Sequence, residues 1–265
     1  MKVLVSDQLW SHVEPLLPPP EPRRFRYPGR KPLERRRILT GILFVLKTGI
    51  AWDHLPTELG WGCGKTCRAY LQLWHSTGVW HQLHAVFLTE LNAADLIDWS
   101  RAIIDGTFAK APEGGADTGP NPTDRGKSGS KHHVLTDANG IPLAVVLTAA
   151  NVPDVVPVLE VLTAMPPVGG KPGPPRELPD RLQGDRGYDS DPLRKLLRWM
   201  GIVPELARRN TEHGSGMGTT RWVVERTNAF LHGFGRLRRR LDRLPEVQHA
   251  FLALACSLIC MRFLE

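Results

Sequence analysis

Cysteine is scarce. The 265 residues hold four, Cys63, Cys67, Cys256 and Cys260. Both pairs are four apart, wider than the two-residue gap usual in a four-thiolate zinc site. Cys256 and Cys260 lie in an apolar helical run and read as core residues, with a structural zinc as the lesser alternative. Long apolar runs are also missing. No stretch approaches the roughly 18 uninterrupted apolar residues a membrane span needs, and Met1 to Asp7 is too soon charged for a secretory signal. Both absences point to a cytosolic protein without disulfides. Acidic charge is the third shortage. Asp+Glu number 27 against 34 Lys+Arg, a net +7. The excess is clustered: Arg23, Arg24, Arg26, Arg30, Lys31, Arg35, Arg36 and Arg37 in one stretch, Arg236, Arg238, Arg239, Arg240 and Arg243 in another. Such runs repel one another unless a polyanion covers them.

What is present is a 42% hydrophobic chain, ample for a sizeable core. From Ser6 to about Leu96 the pattern is helical. Ser6 caps a first helix closed by Pro15 and 18–20; apolar residues at Ile38, Ile42, Val45 and Leu46 give a second helix over 33–47. Residues 48–56 read as a turn, and 65–74 and 79–92 as two helices split by Gly78. Tightly joined short helices with arginine-rich loops suggest a helix-turn-helix-like DNA-binding module over 1–97, against a plain bundle that only packs on the core.

From Trp99 the period changes to two. Residues 100–107 read as a strand ending near Asp105, and the Gly/Pro/Asp-rich 108–130 as a mobile loop. Strands over 131–137 and 141–147 flank Asn139-Gly140, a strong hairpin signal. Then come a helix (153–164), a Pro/Gly loop (166–179), a strand (181–185), a helix (191–200), a strand (202–206) and a helix (220–231). The order β-β-β-α-β-α-β-α over 98–265 is that of an RNase H-like core: α/β, with a mixed sheet flanked by helices.

Three acids arrive at the ends of these elements. Asp105 and Asp185 each close a strand, and neighbouring strands present their ends at one sheet edge. Glu225 lies on a helix whose Val223, Val224, Phe230 and Leu231 would face the sheet, while Arg221, Asn228 and His232 share its polar sector. Three carboxylates gathered there need cations between them. Two Mg²⁺ about 3.5–4 Å apart would satisfy them and activate a phosphodiester for attack.

These residues resemble a known family, the DDE transposases of the bacterial insertion-sequence-5 type, over almost the whole chain. The helical region carries Trp10, Leu17-Pro18-Pro19, Gly29-Arg30, Arg37, Thr48-Gly49, Trp52 and Leu55-Pro56. The core carries Ile104-Asp105-Gly-Thr, Lys131, Leu135-Thr-Asp137, Gly184-Asp185-Arg-Gly-Tyr188-Asp189, Gly201-Ile202 and Arg221-Trp-Val-Val-Glu225-Arg-Thr. The resemblance implies Asp105, Asp185 and Glu225 as a catalytic, metal-binding triad. It also implies Mg²⁺ as cofactor, with Mn²⁺ as a substitute, and terminal inverted repeats and target DNA as partners. A homodimer or higher homo-oligomer in the cytoplasm, associated with the nucleoid, would do the work. Gly218 stands where the family's signature has Tyr, and His232 where it has Lys or Arg.

The residues expected to touch DNA are Arg30, Lys31, Arg35 and Arg37; Arg125, Lys127 and Lys131; Arg221, Asn228 and His232; and Arg236, Arg238 and Arg239. Gly126-Lys127-Ser128 is not a nucleotide-binding loop, since Asn121 stands where the loop's first glycine is required. Asp189 reads as a helix cap and Asp137 as a turn residue. Two rival readings remain at this point: a domesticated, catalytically silent DNA-binding protein, and an RNase H-fold nuclease without strand transfer.

Overall fold

The computed structural model describes residues 3–20, 22, 25–26, 31–210 and 218–265, with backbone alone over 218–220. Arg23, Arg24 and Arg30 of the first basic cluster lie outside the described residues. Helix α1 (Asp7–Val13) starts where the Ser6 hydroxyl accepts the Leu9 amide. Helix α2 (Arg35–Thr48) ends at Gly49 in the left-handed conformation. Helices α3 (Gly64–Ser76) and α4 (Val79–Ala93) are split by left-handed Gly78. All four helices fall where their sequence signals place them.

The sheet is built from β1 (Ala102–Lys110), β2 (Gly119–Pro120), β3 (Ser128–Asp137), β4 (Pro142–Ala149), β5 (Arg181–Gly184) and β6 (Val203–Leu206). Its order is β2-β3-β1-β5-β6, with β4 also on β3. The pairs β1–β3 and β3–β4 are antiparallel, and β1–β5 and β5–β6 parallel. Helices α5 (Val158–Thr163), α6 (Asp191–Trp199), α7 (Gly218–His232), α8 (Gly235–Arg238) and α9 (Pro245–Arg262) complete the chain. A hydrophobic-all-round helix belongs in an interior, and α9 is buried at almost every position from Val247 to Cys260, Cys256 and Cys260 included.

One hydrophobic cluster runs from Val5 and Leu9 through Trp74 and Phe87 to Ile259, so the N-terminal helices share a core with the sheet. One close approach fastens them: a Cβ on Gly49 would stand 2.9 Å from the Gly235 backbone. Within the N-terminal helices, one on Gly64 would stand only 1.9 Å from the Trp52 carbonyl oxygen. Arg236 and Asp242 pair beneath this seam, and Asp242 also accepts the Trp52 indole N–H at 3.2 Å.

Four expectations are corrected. Asp105 does not end its strand, because β1 runs on to Lys110. The stretch 108–130 is structured: β2 pairs with β3, the Asn121 side chain accepts the Thr123 amide, and the Arg240 guanidinium donates to the Asp117 carbonyl. Helix α5 begins five residues later than expected, since 153–157 forms turns instead. Ser190, not Asp189, caps α6, while Asp189 pairs with Arg194 at 2.6 Å.

Candidate active site

The parallel register sets Ala102 beside Leu182 and Ile103 beside Gln183. Continued two residues, it brings Asp105 level with Asp185. An eighty-residue separation in the chain thus becomes adjacency between neighbouring strands. Past the end of β5 the Asp185 carboxylate accepts the Gly187 amide at 2.7 Å, which fixes its rotamer at the start of a short 3₁₀ turn.

Helix α7 brings the third acid. Val223 and Val224 pack on Ile103. At the hairpin turn, the Thr227 hydroxyl donates to the Gly140 carbonyl and Arg226 to that of Asn139. The hairpin between β3 and β4 therefore sets the height of α7 over the sheet. Its polar sector then meets Asp105: Asn228 Nδ2 donates to Asp105 Oδ2 at 2.9 Å, and Arg221 Nη2 to Oδ1 at 3.2 Å. The same Nη2 lies 3.7 Å from Asp185 Oδ2. Glu225 is exposed one turn away.

Burial lifts the Asp105 carboxyl to about 6. Arg221 and the Gly106 amide oppose the rise, and the charges of Asp185 and Glu225 add to it. Both other acids therefore bear on Asp105. The donors fit a divalent cation: they are hard carboxylate oxygens, and Arg221 already gathers one from each aspartate about a single positive charge. The cage itself is not closed. Among the described residues, no group of three or more His, Cys, Asp or Glu stands close enough to hold a metal ion.

The other expected contacts divide. Arg221 and Asn228 sit on the acids. His232 Nε2 lies 3.2 Å from the Thr107 hydroxyl, two residues along β1, and burial with the nearby Arg238 lowers its pKa, which disfavours the charged form. Beyond it a cavity of about 890 Å³ is lined by Phe108, Lys110, Lys127, Arg238 and Arg239, among others. Lys31, Arg37 and Arg125 are exposed and Arg35 is half-buried. Two expected contacts are turned inward. Arg236 is 1% exposed and bound to Asp242. Lys131 is buried, with Nζ 2.9 Å from Asp154 Oδ1. Neither side chain presents its charge to a surface ligand. Asp154 escaped the sequence reading because it stands five residues past the end of β4, in a stretch read as helix, and no strand end marks it as one marks Asp185.

Aspartates level on adjacent parallel strands of a mixed sheet, with an acid-bearing helix laid across them, define an RNase H-like core of the DDE kind. Comparison with known proteins gives the family. Residues 5–84 match the family described as "Putative transposase of IS4/5 family", and 100–260 match "Transposase DDE domain". A Burkholderia cepacia protein named "Putative transposase for insertion sequence element IS402" is 55% identical over 148 residues, covering 56% of this chain and 70% of its own. Another from the same organism, "Insertion element IS402 uncharacterized 16.2 kDa protein", is 50% identical over 121 residues, 46% of this chain and 82% of its own. The chain belongs to the DDE transposases of the IS4/5 type. No helix among the described residues is long and apolar enough to cross a membrane.

Proposed function

We propose that this transposase binds the terminal inverted repeats of its insertion sequence as a homodimer or higher oligomer, cleaves each end by phosphodiester hydrolysis, and joins the freed 3′-hydroxyl to target DNA. The observation that carries the reading is the level pair Asp105 and Asp185 bridged by Arg221, with Glu225 close enough to raise the Asp105 pKa. Asp105, Asp185 and Glu225 would hold the divalent cations, with Mg²⁺ the expected metal. Bound there, such cations lower the pKa of an attacking water or hydroxyl and neutralise the leaving oxygen.

The protein's own part is to prepare the acids and deliver the DNA. Asn228 fixes the Asp105 carboxylate in one rotamer, and the Gly187 amide does the same for Asp185. Arg221 offsets their mutual repulsion before substrate arrives and has further N–H groups for a phosphate oxygen. DNA would run from the acids along β1 and α7 into the basic cavity, where Lys110, Lys127, Arg238 and Arg239 meet its backbone. Lys31, Arg35 and Arg37 would extend the contact from the N-terminal helices, which serve as the DNA-binding module.

The test is a cleavage and joining assay on a labelled inverted-repeat end, with and without Mg²⁺. Asp105→Asn, Asp185→Asn and Glu225→Gln are expected to bind the end and to lose nicking and joining by a thousandfold or more. Retained cleavage by any one of them sinks the triad. Cleavage without joined products would make the protein a nuclease, and end binding without cleavage by the wild type a silent DNA-binding protein.

A further inference from the structure

Asp154 is a fourth acid beside this site. Its carboxylate sits between two glycines that adjoin the others. Oδ1 lies 2.9 Å from where a Cβ on Gly106 would stand, and Oδ2 lies 3.0 Å from where one on Gly187 would stand. Asp185 Oδ1 is 2.9 Å from that same Gly187 point. Oxygens of Asp154 and Asp185 therefore flank one small gap, which a side chain at 187 would fill. On its far side Asp154 Oδ1 takes a hydrogen bond from Lys131 Nζ at 2.9 Å, and Lys131 also donates to the Val152 carbonyl.

Among the described residues, four buried polar atoms around these acids have no hydrogen-bond partner: Asn228 Oδ1, His133 Nδ1, the Tyr188 hydroxyl and Arg221 Nε. Asn228 holds Asp105 through its other amide atom. His133 is fully buried, with Nδ1 3.9 Å from Asp154 Oδ1. Tyr188 is 1% exposed, and the charges of Asp154, Asp105 and Asp185 all bear on it. An unpaired buried polar group is costly and uncommon. Four of them around four carboxylates point to a polar ligand that belongs in the site.

We propose that Asp154 is a fourth carboxylate of the active site, joining Asp185 in holding a divalent cation, with Lys131 as the resident counter-ion that balances it beforehand. The inference rests on the metal-dependent reading above. It also gives the buried Lys131 a purpose: Arg221 serves Asp105 and Asp185 as Lys131 serves Asp154, so each acid group carries its own placeholder charge. A purely structural Lys131–Asp154 pair would leave cation binding untouched.

Manganese alone supplies the readout, with free Mn²⁺ followed by electron paramagnetic resonance as it is titrated into the full chain without DNA. Wild type is expected to take up two ions. Removing Asp154 alone strands a buried ammonium, so the main variant is the Lys131→Met, Asp154→Asn pair, its fold checked by thermal melting. That variant should lose one ion or bind it at least tenfold more weakly. Lys131→Met alone should bind severalfold more tightly, because the competing charge is gone. Two ions at wild-type affinity in the double variant overturn the proposal, and no gain in Lys131→Met overturns the counter-ion role. Asp105→Asn separates the two readings. If it loses Mn²⁺ while the double variant does not, the triad stands and Asp154 falls. If wild type binds no Mn²⁺, the metal-dependent reading falls and takes Asp154 with it.

Discussion

Asp105→Asn is expected to stabilise the protein while abolishing its chemistry. The Asp105 carboxyl moves from an ordinary 3.8 to about 6, chiefly because β1 and α7 bury it. At 1.36 kcal/mol for each tenfold change in proton affinity, ionising it in the folded state costs about 3 kcal/mol more than in the unfolded chain. The sign follows from which state holds the proton. Below pH 3.8 both states are protonated and the folded state bears no penalty. Between 3.8 and 6 the unfolded chain loses its proton first, so stability falls as pH rises. Above about pH 7 the loss is complete. Asparagine never ionises, but its single amide oxygen can accept from Asn228 or from Arg221 and its NH₂ from neither, so one of the two bonds Asp105 accepts is lost and returns part of the gain. A net advantage of about 1–3 kcal/mol at pH 8, vanishing near pH 4, is the expectation. Urea unfolding of both proteins at pH 4, 6 and 8 measures it. A variant less stable than wild type at pH 8, or a difference independent of pH, would refute the reasoning. Added Mg²⁺ should close the gap by stabilising the wild type alone.

Asp242→Ala strands the buried Arg236 guanidinium and frees the Trp52 indole, a loss of about 3–5 kcal/mol and a Tm drop on the order of 10 °C by calorimetry. Gly64→Ala drives a Cβ into the Trp52 carbonyl oxygen and should cost at least about 2 kcal/mol in denaturant titrations. Lys127→Glu and Arg239→Glu should each weaken binding to any duplex. Each should lower the slope of log K against log salt by about 0.9 for every phosphate no longer neutralised, read by fluorescence anisotropy. An unchanged slope would move the DNA path away from this cavity.

Local signals in the chain carried most of the framework. Ser6, Gly78 and Asn139-Gly140 each mark a boundary by the backbone geometry they favour, and each boundary stands where it was read. Asp137 does close its hairpin, accepting the Asn139 and Ile141 amides. The stretch 108–130 was misread because its partners are remote. Arg240 and the Arg243 backbone, more than a hundred residues on, hold the turn at Gly115–Asp117. Arg236 was misread for a related reason. Composition places an arginine in a basic run, and only its buried partner Asp242 shows that it faces inward.

Residue types and their spacing alone determined the basic character and most of the element order, β2 excepted, and singled out three acids as candidates, because propensities, caps and apolar periods act over a few neighbours. That Asp105 lies level with Asp185, and that Arg221 reaches both, were decided by the parallel register of β1 on β5 and the docking of α7 on the hairpin. Those pairings join residues 80 to 123 positions apart, a range at which no local preference of the chain operates and only the packed sheet fixes who meets whom.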